Sequence, residues 1–276
     1  MPGLYIVATP IGNLGDISAR AATTLASAGV IAAEDTRVTA KLLAHLDLRV
    51  PMTPYHDHSD ERTRAALVAR MGHEVVVLVS DAGTPLISDP GYKLVRDARA
   101  AGRHVTTLPG PCAAIAAITL SGLPSDRFLF AGFLPNKAKA RADTLAEFAG
   151  LRATLVFYES GPRLSASLAA MAEALGDRDA AVAREISKLF EQCVTGTLTE
   201  LAARYLDAPP KGEIVVIVGP PGESVPEEAD DAIVDAALLA AMQDRPVAQA
   251  AKAVAKTYGL DRHEVYARAL ALKDRA

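Results

Sequence analysis

Tryptophan is absent from this chain of 276 residues, and aromatic side chains make up only 5% of it. Cysteine occurs twice, at Cys112 and Cys193, far apart and outside any CxxC spacing. That excludes a disulfide framework and a thiolate zinc site. A basic balance is missing too: 29 Lys and Arg stand against 33 Asp and Glu, for a net charge of −4. A global electrostatic footprint for nucleic acid is thereby excluded, and any RNA contact has to come from local patches. No apolar run reaches the roughly 18 residues of a membrane span. The N-terminus, MPGLYIVATPIGNLGD, has no basic start followed by an apolar signal core. These absences predict a cytoplasmic protein with no membrane partner. His56-Asp57-His58 offers two metal ligands but no third at suitable spacing, so no metal is expected.

What is present is apolar residue, 50% of the chain, enough for a sizeable core. Short β-rich runs alternate with helical patterns. Gly3–Thr9, Val30–Glu34, Glu74–Ser80 and His104–Leu108 read as strands. Between and after them Ile17–Ala28, Arg37–Leu46, Glu61–Met71, Pro90–Ala101 and Ala113–Ser121 read as helices. The alternation restarts with strand Arg127–Phe133, helix Lys137–Ala149, strand Ala153–Glu159 and helix Pro162–Leu175. Strands Ala180–Glu185 and Gln192–Thr197, helix Leu198–Leu206 and strand Glu213–Val218 follow. The pattern predicts an α/β fold in two domains, residues 1–122 and 123–219. Residues 220–230, PPGESVPEEAD, are polar, acidic and proline-bearing and read as a linker. Residues 231–276 are purely helical, with apolar positions at helical spacing and Asp261 three residues before Glu264 as a capping-box-like start. They predict a small helix-turn-helix-like domain turning at Tyr258-Gly259-Leu260-Asp261.

In parallel α/β sheets ligands bind at the carboxyl ends of strands, so the residues after each strand carry the chemistry. After the first come Thr9-Pro10-Ile11-Gly12-Asn13-Leu14-Gly15-Asp16, neither a GxGxxG nor a Walker loop; a tight turn explains them equally well. After the third come Asp81-Ala82-Gly83-Thr84-Pro85-Leu86-Ile87-Ser88-Asp89-Pro90-Gly91, whose small residues leave space for a flat or adenosine-like ligand. After the fourth comes Pro109-Gly110-Pro111-Cys112-Ala113-Ala114, opening a helix of small residues that suits either close packing or close ligand approach.

Taken in order, ATPIGNLGDIS, AAEDTR, SDAGTPLISDPGY, LPGPCAAIAA, DRFLFAGFLP, TLVFYES and KGEIVVIVG resemble the tetrapyrrole-methylase superfamily, and within it the 16S ribosomal RNA ribose 2′-O-methyltransferases. The resemblance covers about residues 3–219. Precorrin methylases carry Gly-Asp-Pro where this chain has Gly83-Thr84-Pro85. After Ser160 the ribosomal RNA branch usually has Pro-His-Arg; here Gly161-Pro162-Arg163 stands, without the histidine.

The resemblance implies a two-domain fold with S-adenosylmethionine in the cleft, a homodimer, and as substrate a cytidine in the decoding region of 16S rRNA, within the small ribosomal subunit. It places Pro10 at the cofactor's border and Ser80, Asp81, Ala82, Gly83, Thr84, Leu86 and Ile87 around its methionine and ribose. Cys112 and Ala113 would lie near its carboxylate, and Tyr158, Glu159, Ala183, Gly212 and Glu213 would frame the adenine side. Methyl transfer to a hydroxyl gains from a general base. Glu159 is the first candidate, with Glu34 and Asp35 next; a salt-bridged structural carboxylate is the competing reading for each. Arg37, Arg163, Arg184 and Lys188 are candidate phosphate contacts, and Lys137, Lys139 and Arg141 form a basic front on one helix. Lys252, Lys256, Arg262, Arg268, Lys273 and Arg275 make the helical tail locally basic. Two other functions compete: a precorrin-type C-methyltransferase, and a non-catalytic nucleic-acid-binding regulator built on the tail.

Overall fold

The computed structural model describes residues 1–56, 59–222, 231–258 and 260–273. Met1–Pro220 forms one compact unit and Pro221–Ala276 a second.

The first unit holds two five-stranded sheets. Strands β1 (Gly3–Val7), β2 (Val30–Ala33), β3 (Met52–Pro54), β4 (Val75–Val79) and β5 (Val105–Leu108) make an all-parallel sheet in the order β3-β2-β4-β1-β5. Both faces are covered, which is why the inner strands β2 and β4 are wholly apolar. Val76 and Leu78 of β4 pack with Leu67, Met71, Leu94 and Ala98 of helices α3 (Glu61–Arg70) and α4 (Tyr92–Ala100). Val77 and Val79 point the other way, toward Ala21 and Leu25 of α1 (Ala19–Ala26) and Leu42 and Leu43 of α2 (Thr36–His45). Side chains that are buried completely, such as Leu4, Leu25 and Leu94, contribute about 1.5–3 kcal/mol each.

Helix starts follow their caps. Ser18 accepts from the Ala21 amide, so α1 begins two residues later than periodicity predicts. Gly91, at φ +137°, sets the start of α4 at Tyr92 rather than at Pro90. The edge strand β3 is missing from the sequence reading, because three residues ending in Pro54 carry no period.

The second sheet runs β6 (Phe128–Phe133), β7 (Thr154–Ser160), β10 (Glu213–Val218), β8 (Asp179–Arg184) and β9 (Gln192–Thr197). Only β6 and β7 are parallel; β10 enters between β7 and β8 antiparallel to both, and β9 pairs antiparallel with β8. A uniformly parallel sheet is therefore not what this half builds. Helices α6 (Ala138–Ala146), α7 (Leu164–Leu175) and α8 (Leu198–Arg204) belong to this half, and their apolar faces share a core with Leu155, Phe157 and Val216. The opposite face is covered by α5 (Ala113–Ser121): Ala114, Ala117 and Ile118 pack on Val156, Ala181, Ala183 and Ile217. The expected boundary at residue 122 does not match this packing, because α5 is buried on the second sheet.

The second unit contains α9 (Asp231–Asp244), α10 (Val247–Tyr258) and α11 (Arg262–Lys273) around a core of Val234, Leu238, Ala251, Val254, Val265 and Ala269. Asp261 accepts from the amides of His263 and Glu264 at 2.7 and 3.1 Å, capping α11 as its position implied. Within the expected linker, residues 223–230 lie outside the described residues, as do Asp57, His58, Gly259 of the predicted turn, Arg275 and the side chain of Lys256. Among the described residues no helix is long and apolar enough to cross a membrane, and no cluster of three metal-ligating side chains occurs.

Candidate functional site

The three loops leaving β1, β4 and β5 are stitched together. Thr9 and Gly83 form a two-way backbone bridge, and the Thr84 hydroxyl donates to the Pro111 carbonyl at 2.9 Å. A β-carbon on Gly110 would sit 2.9 Å from that of Ala8. Close backbone approach is thus built into the carboxyl edge of the parallel sheet. The β4 loop also holds two non-glycine residues in the left-handed region, Leu86 at φ +74° and Ser88 at φ +62°. Such conformations are costly and concentrate at functional sites.

A cleft of about 380 Å³ opens between these loops and the second sheet. Ala82, Gly83, Thr84, Ile87, Cys112 and Ala113 line it on one side, and Tyr158, Glu159, Gly212 and Glu213 on the other. These ten were anticipated. Pro10, Ser80, Asp81, Leu86 and Ala183 do not line it. Ala183 is buried beneath α5, Leu86 packs into the core with Leu78 and Leu94, and Ser80 is buried with its hydroxyl donating to the Ala82 carbonyl. Ile11, Ser88, Asp89, Phe133, Ser160, Ile186, Ile214 and Val215 are wall residues that sequence reasoning left out. Asp89 stands inside the quoted loop, so its proximity was visible; Ile186 and Val215 become neighbours only through the antiparallel pairing.

Among the described residues the wall carries three acids, Asp89, Glu159 and Glu213, and no Lys, Arg or His. Such a lining favours a ligand bearing positive charge. A β-carbon on Gly212, at φ +98°, would lie 2.3 Å from Glu185 Oε1, so glycine is required where the chain enters β10. Tyr158 packs edge-on against Phe130 and Phe133, and burial pushes its phenol up to about 12.

The candidate bases fare differently from expectation. The Glu159 side chain is only 1% exposed. Its Oε1 accepts from the Ser160 amide at 2.7 Å and faces Arg163 Nε at 3.4 Å; its Oε2 accepts from the Ser167 hydroxyl at 2.6 Å. Both oxygens are occupied, which favours the structural-carboxylate reading of Glu159 over the base and links β7 to α7. Asp35 caps α2 and pairs with Arg37, whose hydrogen bonds hold its carboxyl down to about 2, so it is a poor proton acceptor. Glu34 accepts from the Asp81 amide at 3.3 Å, and neither Glu34 nor Asp35 lines the cleft.

The candidate phosphate contacts divide in the same way. Arg163 donates to the Leu134 carbonyl at 2.7 Å, Arg184 to Gln192 at 3.1 Å, and Lys188 pairs with Glu185 and Glu213. These three already have partners within the protein, which favours an intramolecular role over a phosphate contact. Arg37 is exposed on the far side of its pair with Asp35. Lys137 and Lys139 are exposed at the start of α6, with Arg141 half-buried.

The family described as Tetrapyrrole (Corrin/Porphyrin) Methylases matches residues 3–202, and the RsmI C-terminal HTH domain matches residues 228–273. The chain is 57% identical over 272 residues to "Ribosomal RNA small subunit methyltransferase I" of Erythrobacter litoralis, covering 99% of this chain and 96% of that one. It is 46% identical over 270 residues to the protein of the same name from Vibrio cholerae, covering 96% and 93%. Among solved structures it is similar to uroporphyrin-III-C-methyltransferase from Thermus thermophilus (TM-score 0.57, 21% identity, 79% of this chain and 94% of that one). It is similar also to diphthine synthase (TM-score 0.60, 15% identity, 78% and 89%).

Proposed function

Because the chain belongs to the tetrapyrrole methylase family, alongside the small-subunit ribosomal RNA methyltransferases, we propose that it is an S-adenosylmethionine-dependent methyltransferase of 16S rRNA. The proposed acceptor is the ribose 2′-hydroxyl of a cytidine in the decoding region. The observation that carries the reading is the cleft at the carboxyl edge of the parallel sheet, with three acids and no Lys, Arg or His among the described residues of its wall, in a chain 57% identical to an rRNA methyltransferase.

The cleft fits the cofactor. S-adenosylmethionine carries a positive sulfonium and, when bound, supplies an electrophilic methyl group with its own leaving group. Gly83 and Gly212 are glycines of the cleft wall at positive φ, and Thr84, Cys112, Ala113 and Tyr158 line the cleft with them. The protein's contribution is to hold two reactants in line.

RNA is the proposed substrate rather than a tetrapyrrole, supported by the match of the C-terminal unit to a helix-turn-helix domain and by the Gly83-Thr84-Pro85 sequence. The exposed Lys137 and Lys139, with Lys252, Arg262 and Lys273 of the second unit, are the proposed phosphate contacts. We also propose that it works in the cytoplasm on assembling small subunits, as a homodimer. The outer face of α5 supports the last point: Ile115 and Leu120 are exposed there, and a groove joins Leu120 to the Ile186–Glu191 loop, where Leu189 is 89% and Phe190 67% exposed. Labelled cofactor offered with small subunits, free rRNA or a tetrapyrrole tests the whole. Label in the ribose of small-subunit RNA is the expected result; label in the tetrapyrrole would overturn it.

A further inference from the structure

We propose that Asp89, which stands in the cleft wall without a cationic partner among the described residues, is the general base that takes the proton of the RNA 2′-hydroxyl; this rests on the ribose-methylation reading above. Of the three acids in the wall it is the one left available. Glu159 is sealed with both oxygens occupied. Glu213 is held by Lys188 at 3.2 Å and opens to solvent. Asp89 is half-buried, and the side chain facing it is the hydroxyl of Ser80, which it shares with the Ala82 carbonyl.

Position separates a substrate role from a cofactor role. Gly83 is buried in the cleft wall, whereas Ile87 and Ser88, immediately before Asp89, are exposed lining residues within reach of an incoming polymer. The backbone flanking Asp89 is conformationally unusual: Ser88 has φ +62°, and Gly91 at φ +137° is so close to the core that a β-carbon would sit 2.7 Å from Leu78 Cδ2.

The charged and titratable groups around it act in one direction. Burial is the main influence and raises the Asp89 carboxyl above the usual carboxylate range. The Ser80 hydroxyl opposes this, and the negative charge of Asp81 adds to it. Tyr158 across the cleft is neutral, since burial holds its phenol at about 12, so it accepts no proton. The other titratable groups of the wall are Cys112, Glu159 and Glu213, none of them cationic. In the step, the ribose O–H bond breaks and the proton passes to Asp89. The freed pair on oxygen forms the bond to the methyl carbon, the carbon–sulfur pair stays on sulfur, and Asp89 later loses its proton to water.

The test compares wild type, Asp89→Asn and Asp89→Glu on small subunits lacking the methyl group. Thermal unfolding checks the fold, and calorimetry measures cofactor affinity. Asp89→Asn should keep that affinity and lose about 10²–10⁴-fold in turnover at saturating cofactor and RNA. Wild-type turnover should rise with pH on the acid side and level off; this limb should vanish in Asp89→Asn, and Asp89→Glu should restore part of the rate. Unchanged turnover in Asp89→Asn overturns the proposal, and so does a fall in cofactor affinity with saturated turnover intact. A wild-type protein that binds the cofactor yet methylates no RNA would overturn the functional reading beneath it.

Discussion

Thr9 and Gly83, far apart in sequence, exchange both of their backbone hydrogen bonds: the Thr9 amide donates to the Gly83 carbonyl at 2.8 Å and the Gly83 amide to the Thr9 carbonyl at 3.0 Å. The bridge locks the loop after β1 to the loop after β4 and fixes one wall of the cleft. Gly83 sits at φ +78°, and a β-carbon there would meet Ile11 Cγ2 at 3.3 Å and the Pro111 carbonyl at 3.6 Å. Gly83→Leu should therefore abolish S-adenosylmethionine binding, while Gly83→Ala should lose stability by about 1–2 kcal/mol from the left-handed backbone. Calorimetry beside thermal unfolding separates the two; full affinity in a folded Gly83→Leu protein would mean the cofactor lies elsewhere.

Glu159 is expected to matter for stability more than for chemistry. Glu159→Gln leaves Ser160, Ser167 and Arg163 imperfectly paired around a buried site. The expected cost is about 1–3 kcal/mol of unfolding free energy, read by denaturant titration, with turnover of the folded fraction within several-fold of wild type. A collapse in turnover at unchanged stability would restore Glu159 as the base.

Asp35 supplies a pH prediction. Its carboxyl is held down to about 2, chiefly by hydrogen bonds from Arg37. A depressed carboxyl contributes stability above its unfolded value, and the contribution fades as pH falls toward the folded one. Wild type should lose this contribution between about pH 4 and pH 2, and Asp35→Asn should lack that component of the acid transition. Superimposable acid-unfolding profiles would show that the exposed pair contributes nothing measurable.

Removal of the second unit should divide binding from recognition. All the residues lining the cleft precede Pro220, so a chain ending there should keep its cofactor affinity. It should bind and methylate RNA less well, and its RNA affinity should depend less steeply on salt. Equal methylation by both chains across a salt series would assign the helices to packing alone.

Self-association should depend on the exposed apolar residues of α5 and the Ile186–Glu191 loop. Light scattering at micromolar concentration should give a dimer mass for wild type and a monomer mass for the Ile115→Asp, Phe190→Asp double variant. A wild-type monomer would remove the homodimer from the proposal.

The strand–helix alternation was written in the sequence, because apolar periodicity and caps act locally. Glu213–Val218 and Ala113–Ser121 occupy the ranges that periodicity assigns to them, and Asp261 caps the helix it was expected to cap. The SDAGTPLISDPG loop was legible as a candidate binding loop because glycines and small residues crowd a strand exit, and several of its residues line the cleft. Pairing decided the rest. The antiparallel insertion of β10 between β7 and β8 brings Gly212 and Val215 to the cleft, and strand order is a long-range choice that local pattern does not encode. Tertiary structure also sorted the acids. In sequence Glu159 and Asp89 are equivalent carboxylates at strand exits. Only the fold places Ser167 and Arg163 around the first and leaves the second in the cleft wall, with no cation beside it among the described residues. A carboxylate's reactivity is set by which donors surround it, and those donors come from other parts of the chain.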